Sequence, residues 1–214
     1  MKNFIKALWG GVKGEGDAPG RTIDEPLELQ KGDYIKLNDS FALPLLLRGQ
    51  TMQITKVNTY LYGYEQVAEF NLRGEENRTI FMNYEDNDGD PFIGFSVKLK
   101  RKEIDTIFGK GVLKKVYNGN QTSLSVENKL DGFELWLADK YEIKESAKKG
   151  QFFERDFRGS DAPTSGGEPL TYTELWSSDE KFAVEIEIWD EDEIDIMITL
   201  IRPITDVHEM WPKS

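Results

Sequence analysis

The sequence predicts a β-rich α+β fold, in which antiparallel sheets carry a few short helices. Runs rich in β-branched and aromatic residues recur along the chain between clusters of Gly, Asn and Asp. Patterns with helical spacing are few and short. Aromatic side chains make up 12% of the 214 residues, which is enough apolar area for a folded core. The length suits one large domain or two small ones.

The clearest strand pair lies near the C-terminus, where residues 182–201 read FAVEIEIWDEDEIDIMITLI. Apolar residues alternate with polar ones on both sides of the acidic run 190–193, which we interpret as the turn of a hairpin. In such a strand one set of side chains is buried and the other faces water. Glu185, Glu187 and Asp195 are therefore predicted to face water. The predicted buried set is Val184, Ile186, Ile188, Ile194, Ile196, Ile198 and Leu200.

At the N-terminus, residues 2–9 have the spacing of a short amphipathic helix that presents Phe4, Leu8 and Trp9 on one side. Residues 10–21 contain five glycines and a proline, which is the composition of a flexible tether. Three roles fit such a helix: docking on its own domain, docking on a partner, or lying on a membrane surface, where a tryptophan flanked by lysines suits the interface.

The remaining elements follow in order after the turn formed by Lys31-Gly32-Asp33. Short helices are predicted at 101–108, ended by Gly109, and at 204–211. The segment 133–143 fits either a strand or a helix, and 159–169 fits a loop or an inter-domain hinge. Strands are predicted at 34–37, 51–62, 66–72, 78–84, 92–100, 112–117, 152–157 and 172–176.

Two segments, 79–109 and 182–211, share one order of elements: a strand, an acidic turn, a strand, a basic residue and a short helix with an aromatic end. This parallel predicts two similar halves, each built on a β-hairpin-plus-helix plan. The expected organisation is an N-terminal helix and tether at 1–24, a β-rich half at 25–117 and an acidic β-rich half at 118–214. The alternative is one compact domain, in which the two halves pack closely.

Charge is distributed unevenly. The net charge is −12, and residues 151–214 hold 5 basic and 16 acidic residues, which gives −11 for that part. Phosphates would be repelled there, so nucleic acid is excluded as a partner of the C-terminal part. A basic protein surface or a cation fits this charge, and so does an acidic face that only keeps the protein soluble.

The chain has no cysteine and one histidine, His208, so disulfides, thiolate chemistry and multi-histidine metal sites are excluded. Asp86, Asp88 and Asp90 are the candidate ligands for Ca²⁺ or Mg²⁺. They do not form an EF-hand loop, because the first and the last ligand positions of such a loop would each be occupied by an aromatic residue. The Asp-Gly pair inside this run is also a strong hairpin-turn signal. We therefore expect no cofactor, with such a cation as the alternative.

No motif assigns a catalytic residue. The serines lack a Gly-x-Ser-x-Gly elbow, and the glycine-rich stretches lack the phosphate-binding pattern. The 39 acidic residues include no pair that the sequence singles out. A carboxylate-dependent hydrolase with a divalent cation stays open as an alternative function.

The chain resembles the YjfK-like family of uncharacterised bacterial proteins. The resemblance is carried by the aromatic opening at 1–9 before the tether, by Lys31-Gly32-Asp33, and by Ile188-Trp189-Asp190 near the end. The resemblance implies no particular activity and no catalytic residues for this chain. Genes of this family tend to lie near those of phage-shock and membrane-stress proteins, which implies an accessory role in the cytoplasm or at the membrane surface.

The expected function is that of a non-catalytic interaction or regulatory protein. Its predicted contacts are the acidic face, formed by Glu185, Glu187, Asp190 and Glu191, and the N-terminal helix. The expected partner is a protein with a basic surface, and the alternative is peripheral contact with a membrane. No apolar run reaches the length of a spanning helix, and the N-terminus has no secretory apolar region. We therefore expect a cytoplasmic protein, with peripheral association at the inner membrane as the alternative.

Overall fold

A computed structural model describes residues 21–75, 78–87, 90–189 and 193–213. These residues form one large antiparallel sheet with two short α-helices, α1 (Arg101–Ile107) and α2 (Val112–Tyr117). Single 3-10 turns lie at Pro26–Glu28 and Ile204–Asp206. The strands are β1 (Tyr34–Leu37), β2 (Thr51–Tyr62), β3 (Glu65–Arg73), β4 (Ile80–Asn87), β5 (Asp90–Lys98), β6 (Ser123–Ser125), β7 (Lys140–Phe153), β8 (Glu168–Trp176), β9 (Phe182–Ile188), β10 (Ile194–Pro203) and β11 (Val207–Trp211).

The strands are arranged in the order β11-β1-β2-β3-β4-β5-β10-β9-β8-β7-β6. The end of β2 also pairs with the end of β7, with residues 59–61 opposite residues 151–153. Eight strands, β2 to β5 and β7 to β10, therefore join into a ring, which we call the closed sheet. Its side chains point alternately to an inner face and to an outer face.

The main hydrophobic core lies on the outer face of the closed sheet. Ile186 and Ile198 are fully buried there, between the sheet and the segments that cover it. Helices α1 and α2 and the loop before β7 cover one side, and that loop contributes Trp136, which is also fully buried. Burial of side chains of this size is the main favourable term in folding.

The C-terminal hairpin is confirmed. Strands β9 and β10 pair with Ile194 opposite Ile188, and the predicted turn at 190–193 lies outside the described residues except for Glu193. The predicted helix at 101–108 is confirmed as α1, and the predicted strands at 34–37, 51–62 and 66–72 correspond to β1, β2 and β3.

Two predictions assign the wrong type of element, and the strand predicted at 152–157 is present only at its first two residues, which end β7. Residues 112–117, predicted as a strand, form α2, because Leu113 and Val116 are three residues apart and both reach the core on one helical side. Residues 204–211, predicted as a helix, form a 3-10 turn and then β11. Strand β11 pairs with the edge of β1, where Trp211 stacks on Tyr34 with ring centroids 5.8 Å apart. Pairing with a free sheet edge outweighed the local helical pattern.

The closing helix of the second predicted half is therefore missing, although the hairpins of the two halves lie side by side through the pairing of β5 with β10. The two halves also share one sheet, since β11 pairs with β1 and β7 pairs with β2. Duplication of one ancestral unit stays a prediction. None of the helices in the described part of the chain is long and apolar enough to cross a membrane.

Candidate binding cavity

Side chains on the inner face of the closed sheet are mostly polar or aromatic, because strict alternation sends every second residue inward. Residues paired directly across antiparallel strands share a face, so the register identifies this inner set. Asn58 on β2 faces Glu69 on β3, and Glu185 on β9 faces Glu174 on β8. Side chains from opposite sides of the ring also meet, since the Tyr60 hydroxyl on β2 hydrogen-bonds Glu187 on β9.

These side chains enclose a cavity of about 430 Å³ inside the closed sheet, which we call the interior cavity. Acidic residues outnumber basic ones in its lining, with seven glutamates against two lysines. The glutamates are Glu65, Glu69, Glu85, Glu145, Glu174, Glu185 and Glu187, and the lysines are Lys144 and Lys148. Aromatic rings complete the lining, from Tyr60, Tyr62, Phe81, Phe92, Tyr172 and Trp176.

The prediction that Glu185 and Glu187 face water is wrong. Glu187 is only 4% exposed, and Glu185 lines the interior cavity. The alternation itself is confirmed, with Val184 and Ile186 fully buried on the other face. The inference failed because a closed sheet buries both of its faces, whereas an open antiparallel sheet leaves one of them in water.

Three residues, Tyr60, Glu69 and Glu187, form a buried polar group on the inner face. The Tyr60 hydroxyl contacts both carboxyl groups, and the Asn58 amide donates to Glu69 Oε1 at 2.9 Å. Burial raises the pKa of Glu69 to about 7, although the hydrogen bonds from Asn58 and Tyr60 oppose this rise. Burial, together with the negative charge of Glu69, also raises the pKa of Glu187 well above its ordinary value. A phenol has one proton to donate, so a protonated Glu187 completes the hydrogen bonding of this group.

A second group surrounds Glu185. Ser96 Oγ lies 2.7 Å from Thr199 Oγ1, and Thr199 donates a hydrogen bond to Glu185. Burial raises the pKa of Glu185 to about 8, and the neighbouring charge of Glu174 contributes in the same direction. The pKa values of Glu174 and Glu85 are also raised by burial. The protonated form of Glu185 is therefore favoured in this part of the cavity near neutral pH.

Both lysines of the interior cavity are already engaged with other groups. Lys148 forms an ion pair with Glu65 at 2.7 Å and lies over the Tyr62 ring, 5.1 Å from its centroid. Lys144 lies over the Trp176 ring at 3.9 Å. These contacts show that the aromatic lining accepts ammonium groups on its faces. The two lysines lower the pKa values of Glu85 and Glu174, whereas burial is the largest cause of the raised pKa values of Glu69 and Glu187.

A second cavity of about 300 Å³ adjoins the first inside the closed sheet. Phe152 and Trp189 line it, and their rings pack edge to face with centroids 5.5 Å apart. Asn58 also lines it. Asn58 is 3% exposed, and its Oδ1 atom has no hydrogen-bond partner among the described residues. Lys56 and Lys98 in the lining form ion pairs with Glu154 and Asp195.

Glycines at two inner positions shape the cavity. A Cβ atom on Gly150 would lie 2.5 Å from the Tyr62 ring, and a Cβ atom on Gly94 would lie 2.1 Å from Asn83 Oδ1. Only glycine permits these close approaches without a shift of the neighbour. Glycine at these two positions therefore leaves room for the side chains of Tyr62 and Asn83.

The other predicted site residues are distributed as follows. Asp86 lies near the end of β4, and Asp90 begins β5, whose first side chain is not described. No three His, Cys, Asp or Glu side chains in the described ranges are placed to hold a metal ion. His208 is exposed on β11, 3.5 Å from Glu209. Phe4, Leu8, Trp9, Asp88, Asp190 and Glu191 lie outside the described residues.

Sequence reasoning missed Glu69, Glu85, Glu174 and the inward tyrosines. The available signal was the placement of single glutamates and tyrosines at alternate positions of several strands, which suits an inner polar face. Comparison with protein-family models, with curated proteins and with solved structures found no match.

Proposed function

We propose that this protein is a non-catalytic binding protein that holds a small organic cation in the interior cavity. The observation that carries the proposal is the convergence of five glutamates, four of them buried or partly buried and Glu85 exposed, from four strands of the closed sheet, on a space lined by aromatic rings. These glutamates are Glu69, Glu85, Glu174, Glu185 and Glu187.

Electrostatics supports this ligand class. The deep glutamates have raised pKa values because burial and mutual repulsion disfavour their ionised forms. A cation among them would offset both costs, whereas an anion would add to them. Asn83 in the lining also offers an acceptor, since its Oδ1 atom has no hydrogen-bond partner among the described residues. An ammonium group supplies donors and no acceptor.

Shape and lining support an organic cation in particular. A volume of about 430 Å³ lies in the range of small-molecule sites. Tyr62 and Trp176 already hold lysine ammonium groups against their faces, so the same rings suit the ammonium of a ligand. Inorganic divalent ions fit less well, because in the described residues no cluster of ligating side chains is close enough.

The test uses n-butylammonium and its neutral counterpart n-butanol as probes. Trp176 lines the cavity, so its fluorescence reports occupancy, and the melting temperature reports stabilisation. We expect n-butylammonium to change the fluorescence and raise the melting temperature saturably at neutral pH, whereas n-butanol should do neither.

The matched variants are Glu185→Gln inside the cavity and Glu142→Gln on an exposed position of β7. We expect the first to weaken the response to n-butylammonium and the second to preserve it. Equal responses to the amine and the alcohol would refute cation binding, and so would the lack of any response to both.

A second candidate function is hydrolysis by a carboxyl pair. The observation in its favour is that Glu185, with a pKa of about 8, adjoins Glu174 inside a concave site, which is the environment of a general acid. Nitrophenyl glycosides and esters are suitable probes. Turnover that disappears in Glu185→Gln and persists in Glu142→Gln would favour hydrolysis over simple binding.

Contact with a basic partner protein or with a membrane stays a separate proposal for this chain. Glu185 and Glu187 no longer support it, because both side chains face the interior. It now depends on Phe4, Leu8 and Trp9 in the N-terminal segment and on Asp190 and Glu191 in the hairpin turn. Deleting residues 1–16 and measuring vesicle binding at low and high salt tests the membrane form of this proposal.

A further inference from the structure

The two cavities inside the closed sheet are separated by a single layer of side chains. Five residues line both cavities and so lie between them: Tyr60, Glu69, Phe81, Glu187 and Met197. We call them the dividing layer. The layer combines two carboxyl groups with two apolar side chains, so one molecule crossing it would meet both kinds of surface.

The second cavity has the features of another ammonium position. Phe152 and Trp189 offer aromatic surface, and Tyr60 packs against both rings, at centroid distances of 5.0 Å and 6.4 Å. Asn58 supplies an acceptor, Oδ1, that is buried and has no partner in the part of the chain that the structure describes. A buried acceptor left without a donor costs free energy, which a ligand donor would recover.

Charge does not oppose a cation there. Lys56 and Lys98, the two cations of this lining, form ion pairs with Glu154 and Asp195. Glu69 and Glu187 line this cavity as well as the interior cavity. A second ammonium group would therefore meet carboxyl oxygens from the same residues that face the first.

We infer that the preferred ligand is a linear diamine or a longer polyamine, with one ammonium group in each cavity and its methylene chain across the dividing layer. This inference rests on the proposed function. Phe81 and Met197 would give the methylene chain an apolar contact in the dividing layer. Glu69 and Glu187 line both cavities, so they would lie near both ammonium groups. One chain that carries both charges also loses less freedom on binding than two separate amines do.

The test compares n-alkylamines with α,ω-diaminoalkanes of the same carbon number, from propane to decane, by titration calorimetry on the full chain. We expect the diamine to bind at least about tenfold more tightly than the matching monoamine once its length spans the layer, a gain of about 1.4 kcal/mol. Short diamines should resemble monoamines.

Asn58→Leu removes the acceptor in the second cavity and keeps the side-chain size close to the original. Because Asn58 also donates to Glu69 Oε1, the readout is the advantage of the diamine over the matching monoamine within the same variant, and we expect this advantage to disappear. Trp189→Leu provides the same comparison if Asn58→Leu fails to fold, as judged by circular dichroism. A diamine advantage that both folded variants retain would overturn the inference.

The outcomes separate the two proposals. If monoamines and diamines of every length bind equally, the proposed function stands and the spanning ligand is refuted. If neither class binds, the proposed function fails, and the inference fails with it.

Discussion

Replacing Glu185 by glutamine should stabilise the ligand-free protein at alkaline pH and leave its stability nearly unchanged at acid pH. Burial and the charge of Glu174 raise the pKa of Glu185 from 4.5 to about 8. The folded protein therefore holds this proton more tightly than the unfolded chain does. The resulting stability is fully present below the unfolded pKa of 4.5 and is lost as the pH rises through about 8. Glutamine cannot ionise, so it avoids this loss.

The magnitude follows from the pKa difference. One pKa unit corresponds to about 1.4 kcal/mol, so a wholly dry Glu185 would lose about 4 kcal/mol of stability between pH values of about 5 and 8.5. Glu185 keeps some accessible surface because it lines the interior cavity, and water there offsets part of this cost. We therefore expect Glu185→Gln to raise the free energy of unfolding by about 2 kcal/mol at the alkaline end.

The measurement is urea unfolding of the wild type, Glu185→Gln and Glu142→Gln across that pH range. Glu142 is the control, because it is exposed and its ion pair with Lys140 lowers its pKa instead of raising it. Its removal should therefore bring no alkaline gain. If the wild type and Glu185→Gln differ by the same amount at every pH, the carboxyl group is hydrated and our reasoning is refuted.

Four further substitutions test the fold and the shape of the interior cavity. Ile186→Ala should lower the free energy of unfolding by about 3 kcal/mol, since Ile186 is fully buried on the outer face, and a loss below about 1 kcal/mol in urea unfolding would contradict that placement. Gly150→Val should cost about 1–3 kcal/mol and weaken n-butylammonium binding, because its Cβ atom would meet the Tyr62 ring; unchanged binding in calorimetry would count against the described shape. Ala147→Gly should stabilise by about 0.5 kcal/mol, because Ala147 has φ 53°, and Gly111→Ala at φ 74° should do the opposite in the same melting assay.

The fold class and most strands could be predicted from the sequence, because period-two alternation and turn residues are local signals. The hairpin of β9 and β10 is the best example, since its strands pair as expected and Val184, Ile186 and Ile198 are fully buried. The errors at α2 and β11 have one cause. Six to eight residues carry too little local preference to decide between helix and strand, and contacts made far away in the chain decide instead. For β11 that contact is the edge of β1.

The candidate site could not be predicted, because it depends on ring closure. The pairing of β2 with β7 is made by three residues on each strand, and no local sequence pattern predicts it. Without closure, Glu185 and Glu187 belong to a water-facing surface, which is how their alternation was interpreted. With closure, the same alternation turns them inward, where they meet Glu69 from the opposite side of the ring. A correct strand assignment therefore led to a wrong site assignment.

The arrangement of this fold explains how it tolerates so many buried carboxyl groups. In the closed sheet the main apolar core lies outside the ring, where Ile186, Ile198 and Trp136 are packed without exposure. Because most apolar packing takes place on the outer face, the side chains of the inner face can be polar. Buried acids such as Glu185 lower stability whenever they ionise, so the outer core must supply the stability that they remove. Such a division is expected where function requires unfavourable groups, because a site optimised for a ligand is not optimised for the empty protein. It follows that a bound cation should stabilise this protein most at the alkaline pH values where its interior carboxylates destabilise it most.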